Sequence, residues 1–193
     1  SGQIPAMENM PPHNTDGASA MHLYMPWWLY GEQARGRLDF ARGYHIEFGG
    51  GRRMPSGGTF GRLERFTEGS YGQAFKEDCR RYYGSFMGFD GRGEMIPNED
   101  CYCEIDPGTV DQWGIPVLRF NWKWSHHELN QARHMQHTFA EIIESMGGRV
   151  LSTIHEDGAD AIQNPGQIIH EVGGVIMGDD PSRSVLNSFC QSW

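Results

Sequence analysis

Ser125-His126-His127-Glu128-Leu129-Asn130-Gln131-Ala132-Arg133-His134-Met135-Gln136-His137-Thr138-Phe139-Ala140-Glu141-Ile142-Ile143-Glu144-Ser145-Met146-Gly147-Gly148 is the stretch from which the architecture is read. Ser125 followed three places later by Glu128 is a capping box, which starts a helix by satisfying orphan N–H groups at its first turn. Leu129, Ala132, Met135, Phe139, Ile142, Ile143 and Met146 recur every three or four residues and form one buried stripe. Gly147-Gly148 supplies the stop. The spacing predicts a long helix over 126–146, with strands on either side at Val117–Trp124 and Arg149–Ile154.

Working outward, Gly43–Phe48 alternates as a strand ended by Gly49-Gly50-Gly51, and Cys79–Phe89 reads as a long aromatic strand. Asp90-Gly91 reads as a hairpin turn, with Cys101–Ile105 as the next strand of an antiparallel meander. Leu63–Lys76 has room for one further helix, and 51–62 reads as a glycine-rich loop. Residues 1–20 carry turn formers without periodicity and are expected to form an irregular arm. The fold class expected is therefore α+β, an antiparallel β-sheet flanked by helices. The segments expected are 1–42 as arm and aromatic cluster, 43–165 as the sheet-and-helix domain, and 166–193 as a separate C-terminal segment.

A chain of 193 residues with 38% hydrophobic residues suits one domain with a real core. Its net charge of −9 argues against a nucleic-acid partner, which requires a basic face. No apolar run approaches the ~20 residues that span a bilayer. Cys101 and Cys103 lack a second close pair to complete a zinc site, so the four cysteines read as buried free thiols. Such thiols fit a reducing, cytoplasmic compartment, and a periplasmic one stays open because the sequence does not begin at a start methionine. His134 and His137 stand at i, i+3, but no third ligand matches their spacing, so the histidines at 126–137 read as solvated or capping groups and no metal is expected. Pro26-Trp27-Trp28-Leu29-Tyr30 is either a core wedge or a wall on which a sugar ring stacks, which makes Trp27 and Trp28 candidate substrate contacts.

One histidine is delivered into glycine-rich backbone. In Ile168-Ile169-His170-Glu171-Val172-Gly173-Gly174-Val175-Ile176-Met177-Gly178-Asp179-Asp180-Pro181, glycine permits close approach to a ligand and imidazole can take a proton near neutral pH. With Val185 and Asn187 following, the stretch resembles the H-x-x-G-[TG]-x-x-M-G…D-P…V-[DN] signature near the C-terminus of the glucose–methanol–choline (GMC) flavin oxidoreductases. It departs at Ile176, where many members have arginine or cysteine, and at Gly174, where threonine is common. The order of elements from Gly84 to Met146, including Asp111-Gln112-Trp113-Gly114-Ile115-Pro116, resembles the GMC substrate domain. Residues 14–17, 26–28 and 40–47 are similar to a segment of bacterial members thought to act on sugars.

The resemblance implies oxidation of an alcohol or sugar hydroxyl to a carbonyl, with hydride transfer to FAD and with His170 as the base. The substrate would be a sugar, sugar acid or other alcohol. The electron acceptor is left open. The family's dinucleotide-binding G-x-G-x-x-G is nowhere in this sequence, and its second catalytic residue would fall after Trp193. The expectation is a substrate-domain fragment that binds no FAD alone and pairs with an FAD-binding domain, with an exposed apolar patch near Trp27-Trp28 or His170. The alternatives are a non-catalytic carbohydrate-binding or scaffold module and a metal-dependent enzyme using the α-helical histidines.

Overall fold

A computed structural model describes residues 1–11, 22–50, 61, 63, 64, 66, 67, 71–164, 167 and 174–193. The protein is α+β, and the chain divides into two compact units, 1–96 with 124–161 and 97–123 with 162–193. In the first unit, β1 (Gly2–Gln3), β2 (Leu23–Met25), β3 (Tyr44–Gly50), β4 (Phe86–Gly93) and β7 (Arg149–Val150) form a five-stranded sheet in the order β2-β3-β4-β1-β7. Every pairing in it is antiparallel. Helix α1 (Tyr30–Ala34), helix α2 (Gly72–Tyr82) and helix α3 (His126–Ser145) belong to the same unit. In the second unit, β5 (Tyr102–Val110) and β6 (Pro116–Asn121) form a separate antiparallel ribbon.

Helix α3 begins where the sequence places it. Ser125 Oγ accepts the His127 N–H at 3.2 Å, and Glu128 Oε2 accepts the Ser125 N–H at 2.7 Å. Glu128 Oε1 reaches further and accepts the Ile96 N–H at 2.9 Å, tying the helix start to the chain leaving β4. At the other end Gly147 takes a φ of 68°, and the Gly147 and Gly148 N–H groups return to the carbonyls of Glu144 and Ile143. The buried face includes Ala132, Met135, Ala140 and Ile143, but also Glu128, Gln131 and Thr138. It is thus turned from the apolar stripe towards polar groups that have partners; Gln131 Nε2, for instance, donates to the Gly43 carbonyl at 3.1 Å. Met146 stays exposed.

The helix packs against strand backbone. A Cβ at Gly2 would lie 2.7 Å from Ile143, and one at Gly91 would lie 2.5 Å from the Met135 sulfur. Only glycine allows that approach. Trp27, Phe40, Tyr44, Ile46, Met87, Phe89, Met135 and Ile143 share the resulting core, each large side chain contributing about 1.5–3 kcal/mol by leaving water. β3 alternates as expected, with Tyr44 and Ile46 buried inward and His45 and Glu47 outward.

Several elements differ from the sequence reading. Cys79–Tyr82 closes α2, and only Phe86 onward is strand. The aromatics there are partners of different elements, since Phe66 stacks edge-on to both Tyr82 and Phe86. Asp90 and Gly91 are no turn but continue β4, paired with Glu47 and Ile46, because the close approach of Met135 selects glycine there. β5 pairs with β6 rather than continuing the first sheet as a meander. Residues 1–11 are not an irregular arm. Gly2–Gln3 lies inside the sheet between β4 and β7, and Ile4 is buried, although two residues are too few to show a period. Gly49 and Gly50 continue β3, and the strand after α3 is only Arg149–Val150. None of the four thiols is fully buried; Cys103 and Cys190 are exposed, and Cys101 Sγ exchanges hydrogen bonds with the Lys123 backbone. The loop expected over 51–62 lies, apart from Gly61, outside the described residues.

Glu128 supplies the test of this frame. Burial pushes its carboxyl up, but hydrogen bonds from the Ile96 N–H and from the hydroxyl and N–H of Ser125 outweigh that and leave it below its ordinary value. Glu128→Gln aims a donor at one of those N–H groups and is expected to cost about 1–3 kcal/mol in urea unfolding at neutral pH. Because the folded value lies below the unfolded one, the carboxylate's contribution is present above ~4.3 and lost as pH falls through the folded value. The gap between wild type and variant should therefore close in acid.

Candidate functional site

His170 and the surrounding 168–173 lie outside the described residues. The remainder of that stretch, 174–193, folds back on itself. The Gly178 N–H donates to the Leu186 carbonyl at 2.9 Å and the Val185 N–H to the Ile176 carbonyl at 3.0 Å. Asp180 Oδ1 accepts both the N–H and the hydroxyl of Ser182, at 2.8 and 2.7 Å, and these hydrogen bonds hold its carboxyl below the usual range. The turn returns Ser184 to Gly178, where a Cβ would lie 2.9 Å from it. Met177, Gly178, Asp179, Asp180, Arg183 and Ser184 line a shallow open hollow. Asn187 Oδ1 caps the last turn by accepting the Phe189 and Gln191 N–H groups. The Asp-Pro and Asn positions are thus the hydrogen-bonding hinges of this loop. Val175, Ile176, Met177, Val185, Phe189 and Trp193 remain exposed along it.

The two tryptophans part company. Trp27 is 9% exposed, packs on Phe40 and Tyr44, and donates from Nε1 to Gln33 Oε1 at 3.3 Å. Trp28 is 40% exposed and meets Tyr44 edge-on. Leu23, Tyr24 and Tyr30 are exposed as well. Trp27 is therefore a core wedge, and Trp28 an exposed ring at its edge.

Behind these rings lies a network the sequence did not single out. The Tyr44 hydroxyl lies 2.7 Å from His134 Nδ1 and 3.1 Å from Thr138 Oγ1. Burial, opposed by the Thr138 hydrogen bond and reinforced by Glu141, pushes Tyr44 up to about 12, so its hydroxyl keeps its proton. Burial also lowers His134, against the pull of Glu141 and Asp39. The Tyr44 hydroxyl is thus shared between the His134 ring nitrogen and the Thr138 hydroxyl, donating to one of them. His127 Nδ1 accepts the Ala41 N–H at 3.1 Å and His126 packs on His127. Among the described residues, no three His, Cys, Asp or Glu side chains gather as a metal-sized group. Nor do they contain the parallel strand–helix–strand unit that cradles a dinucleotide pyrophosphate, since both sheets are antiparallel. No helix is long and apolar enough to cross a membrane among the described residues.

Comparison with known proteins gives matches of one kind. The family model described as GMC oxidoreductase matches residues 97–193. The gluconate 2-dehydrogenase flavoprotein of Pantoea cypripedii is 26% identical over 125 residues, 64% of this chain and 20% of that protein. The 2-methyl-1,2-propanediol dehydrogenase of Mycolicibacterium austroafricanum is 24% identical over 123 residues, 64% of this chain and 21% of that protein. The chain spans about a fifth of the length of these curated relatives.

His134 gives a pH signature. Its folded value lies below the unfolded ~6.5, so its contribution is complete above that value and lost as pH falls from there through the folded value. His134→Gln should flatten the fall in urea midpoint between pH 7 and 5 relative to wild type.

Proposed function

Because the chain belongs to the GMC oxidoreductase family, we propose that it is the substrate-domain part of an FAD-dependent enzyme that oxidises an alcohol or sugar hydroxyl to a carbonyl. The observation that carries this reading is the match over 97–193, which includes His170 and the D-P and Asn hinges of the loop after it. FAD, held by sequence outside this stretch, supplies the two-electron acceptor. This chain's part is the substrate and its proton. His170 takes the hydroxyl proton as the carbinol hydrogen departs with its electron pair, a contribution of roughly 10²–10⁴-fold in rate. Gly174, with nothing within 4 Å of where a Cβ would stand, leaves backbone free to lie against a flat ring system.

Trp28 is the open aromatic of the pair and the better candidate for ring stacking, with Trp27 as the wedge behind it. The fragment reading accounts for both the short coverage of the relatives and the exposed apolar side chains on the 174–193 loop.

In the full-length protein, His170→Ala should abolish substrate reduction of the flavin while flavin content, read from its absorbance, stays at the wild-type level; unchanged turnover removes His170 from the mechanism. Trp28→Ala should raise KM with little loss of stability. Trp27→Ala should instead lower the unfolding free energy by about 3–5 kcal/mol.

A further inference from the structure

Beside the apolar stripe that meets the sheet, α3 carries a polar one. His127, Asn130, Gln131, His134 and Thr138 stand at i, i+3, i+4, i+7 and i+11, which puts them on one helical face. All of them reach the same short segment, 39–44, which leads into β3. Asn130 Nδ2 donates to the Asp39 carbonyl at 2.9 Å, and His127 Nδ1 accepts the Ala41 N–H at 3.1 Å. Gln131 Nε2 donates to the Gly43 carbonyl at 3.1 Å. The Tyr44 hydroxyl then sits between His134 Nδ1 and Thr138 Oγ1, 2.7 and 3.1 Å away. Gln33 Nε2 of α1 donates to the Arg42 carbonyl.

Loop backbone needs hydrogen-bond partners, and on a surface water ordinarily provides them. Here side chains supply them residue after residue, and they hold Arg42 at a φ of 67°, a left-handed conformation that an L side chain enters at a cost. Strain of this kind persists only where the surroundings over-determine it. What the strap carries is the tryptophan pair. Trp27 lies flat on Gly43, where a Cβ would stand 2.8 Å from its ring. Trp28 leans on Trp27 and on Tyr44, with ring centroids 5.5 and 5.6 Å away, the second edge-on. The exposed ring is thus held by two residues, and both of those are held by the strap.

We propose that this strap and the polar face of α3 that pins it form a positioning device for Trp28, fixing the plane of the exposed ring so that Tyr44, His134 and Thr138 set substrate affinity without touching the substrate. The link to substrate affinity rests on the hydroxyl-oxidising reading above, in which Trp28 is the stacking ring; the fixing of the ring does not. A ring that binds by stacking gains from being held in its bound orientation beforehand, because less freedom is lost when the ligand arrives. Tyr44 and His134 are positioning residues in this scheme, and their loss is felt in binding rather than in the chemical step.

The test uses the full-length flavoprotein grown with 5-fluorotryptophan, the Trp28 fluorine resonance being the one lost in Trp28→Phe. His134→Leu, which breaks the hydrogen bond to the Tyr44 hydroxyl, should move that resonance towards its position in the urea-unfolded protein. His134→Asn, whose amide reaches where Nδ1 stands, should bring it back. Tyr44→Phe removes the same hydrogen bond while keeping the buried ring, and it decides if His134→Leu loses its flavin. KM is then measured for whichever of glucose, gluconate and sorbitol is turned over fastest. Both His134→Leu and Tyr44→Phe should raise KM about fivefold, with kcat within about twofold, and neither should raise it further once Trp28 is replaced by alanine. A Trp28 resonance unmoved by either variant, or KM increases that persist in full without Trp28, overturns the proposal. A moved resonance with a KM that Trp28→Ala leaves unchanged instead upholds the fixing of the ring and removes Trp28 from substrate binding.

Discussion

The first unit depends on how near α3 comes to the sheet beneath it. At Gly2 and Gly91 helix side chains rest on strand backbone, and there is no room for even a methyl group between them. The contact draws in much of the rest. Ile143 and Met135 fill the space a strand side chain would have taken, Gln131 is pressed onto the Gly43 carbonyl, and Glu128 is brought to the Ile96 N–H. The inward positions of the sheet are aromatic and aliphatic, while its outward positions gather Tyr24, His45, Glu47 and Arg92.

What could be read from the sequence was whatever repeats or caps locally. The 126–145 helix announced itself through Ser125, Glu128 and Gly147, and β3 through its alternation. The 79–89 region did not, because its aromatics serve a helix end and a strand start and contact a third segment through Phe66. Asp90-Gly91 has turn chemistry, yet the helix overhead makes glycine necessary for a different reason. β1 is two residues long and owes its place entirely to strands that lie some 84 and 148 residues further along the chain.

The candidate site residues divide in the same way. His170 could be singled out only because it sits in a contiguous motif, and Asp180 and Asn187 show how that motif closes into a loop. The tryptophan pair was visible as a pair, but which ring is buried depends on Phe40, Tyr44 and Gln33, which come from elsewhere. The Tyr44–His134–Thr138 network and the strap it closes had no signal at all. Their members are separated by up to 94 residues along the chain.

The position of β1 also bears on how the chain is assembled during synthesis. Gly2 and Gln3 are made before every strand they pair with, residues 86–87 on one side and 149–150 on the other. The sheet therefore stays incomplete until Arg149 and Val150 have been made, with the outer hydrogen-bonding edge of β1 exposed in the meantime. Such distant pairings slow folding, since the entropy of closing a long loop is spent before the contacts repay it. The nascent protein is consequently most vulnerable to strand-mediated association in the interval between completing β4 and completing β7.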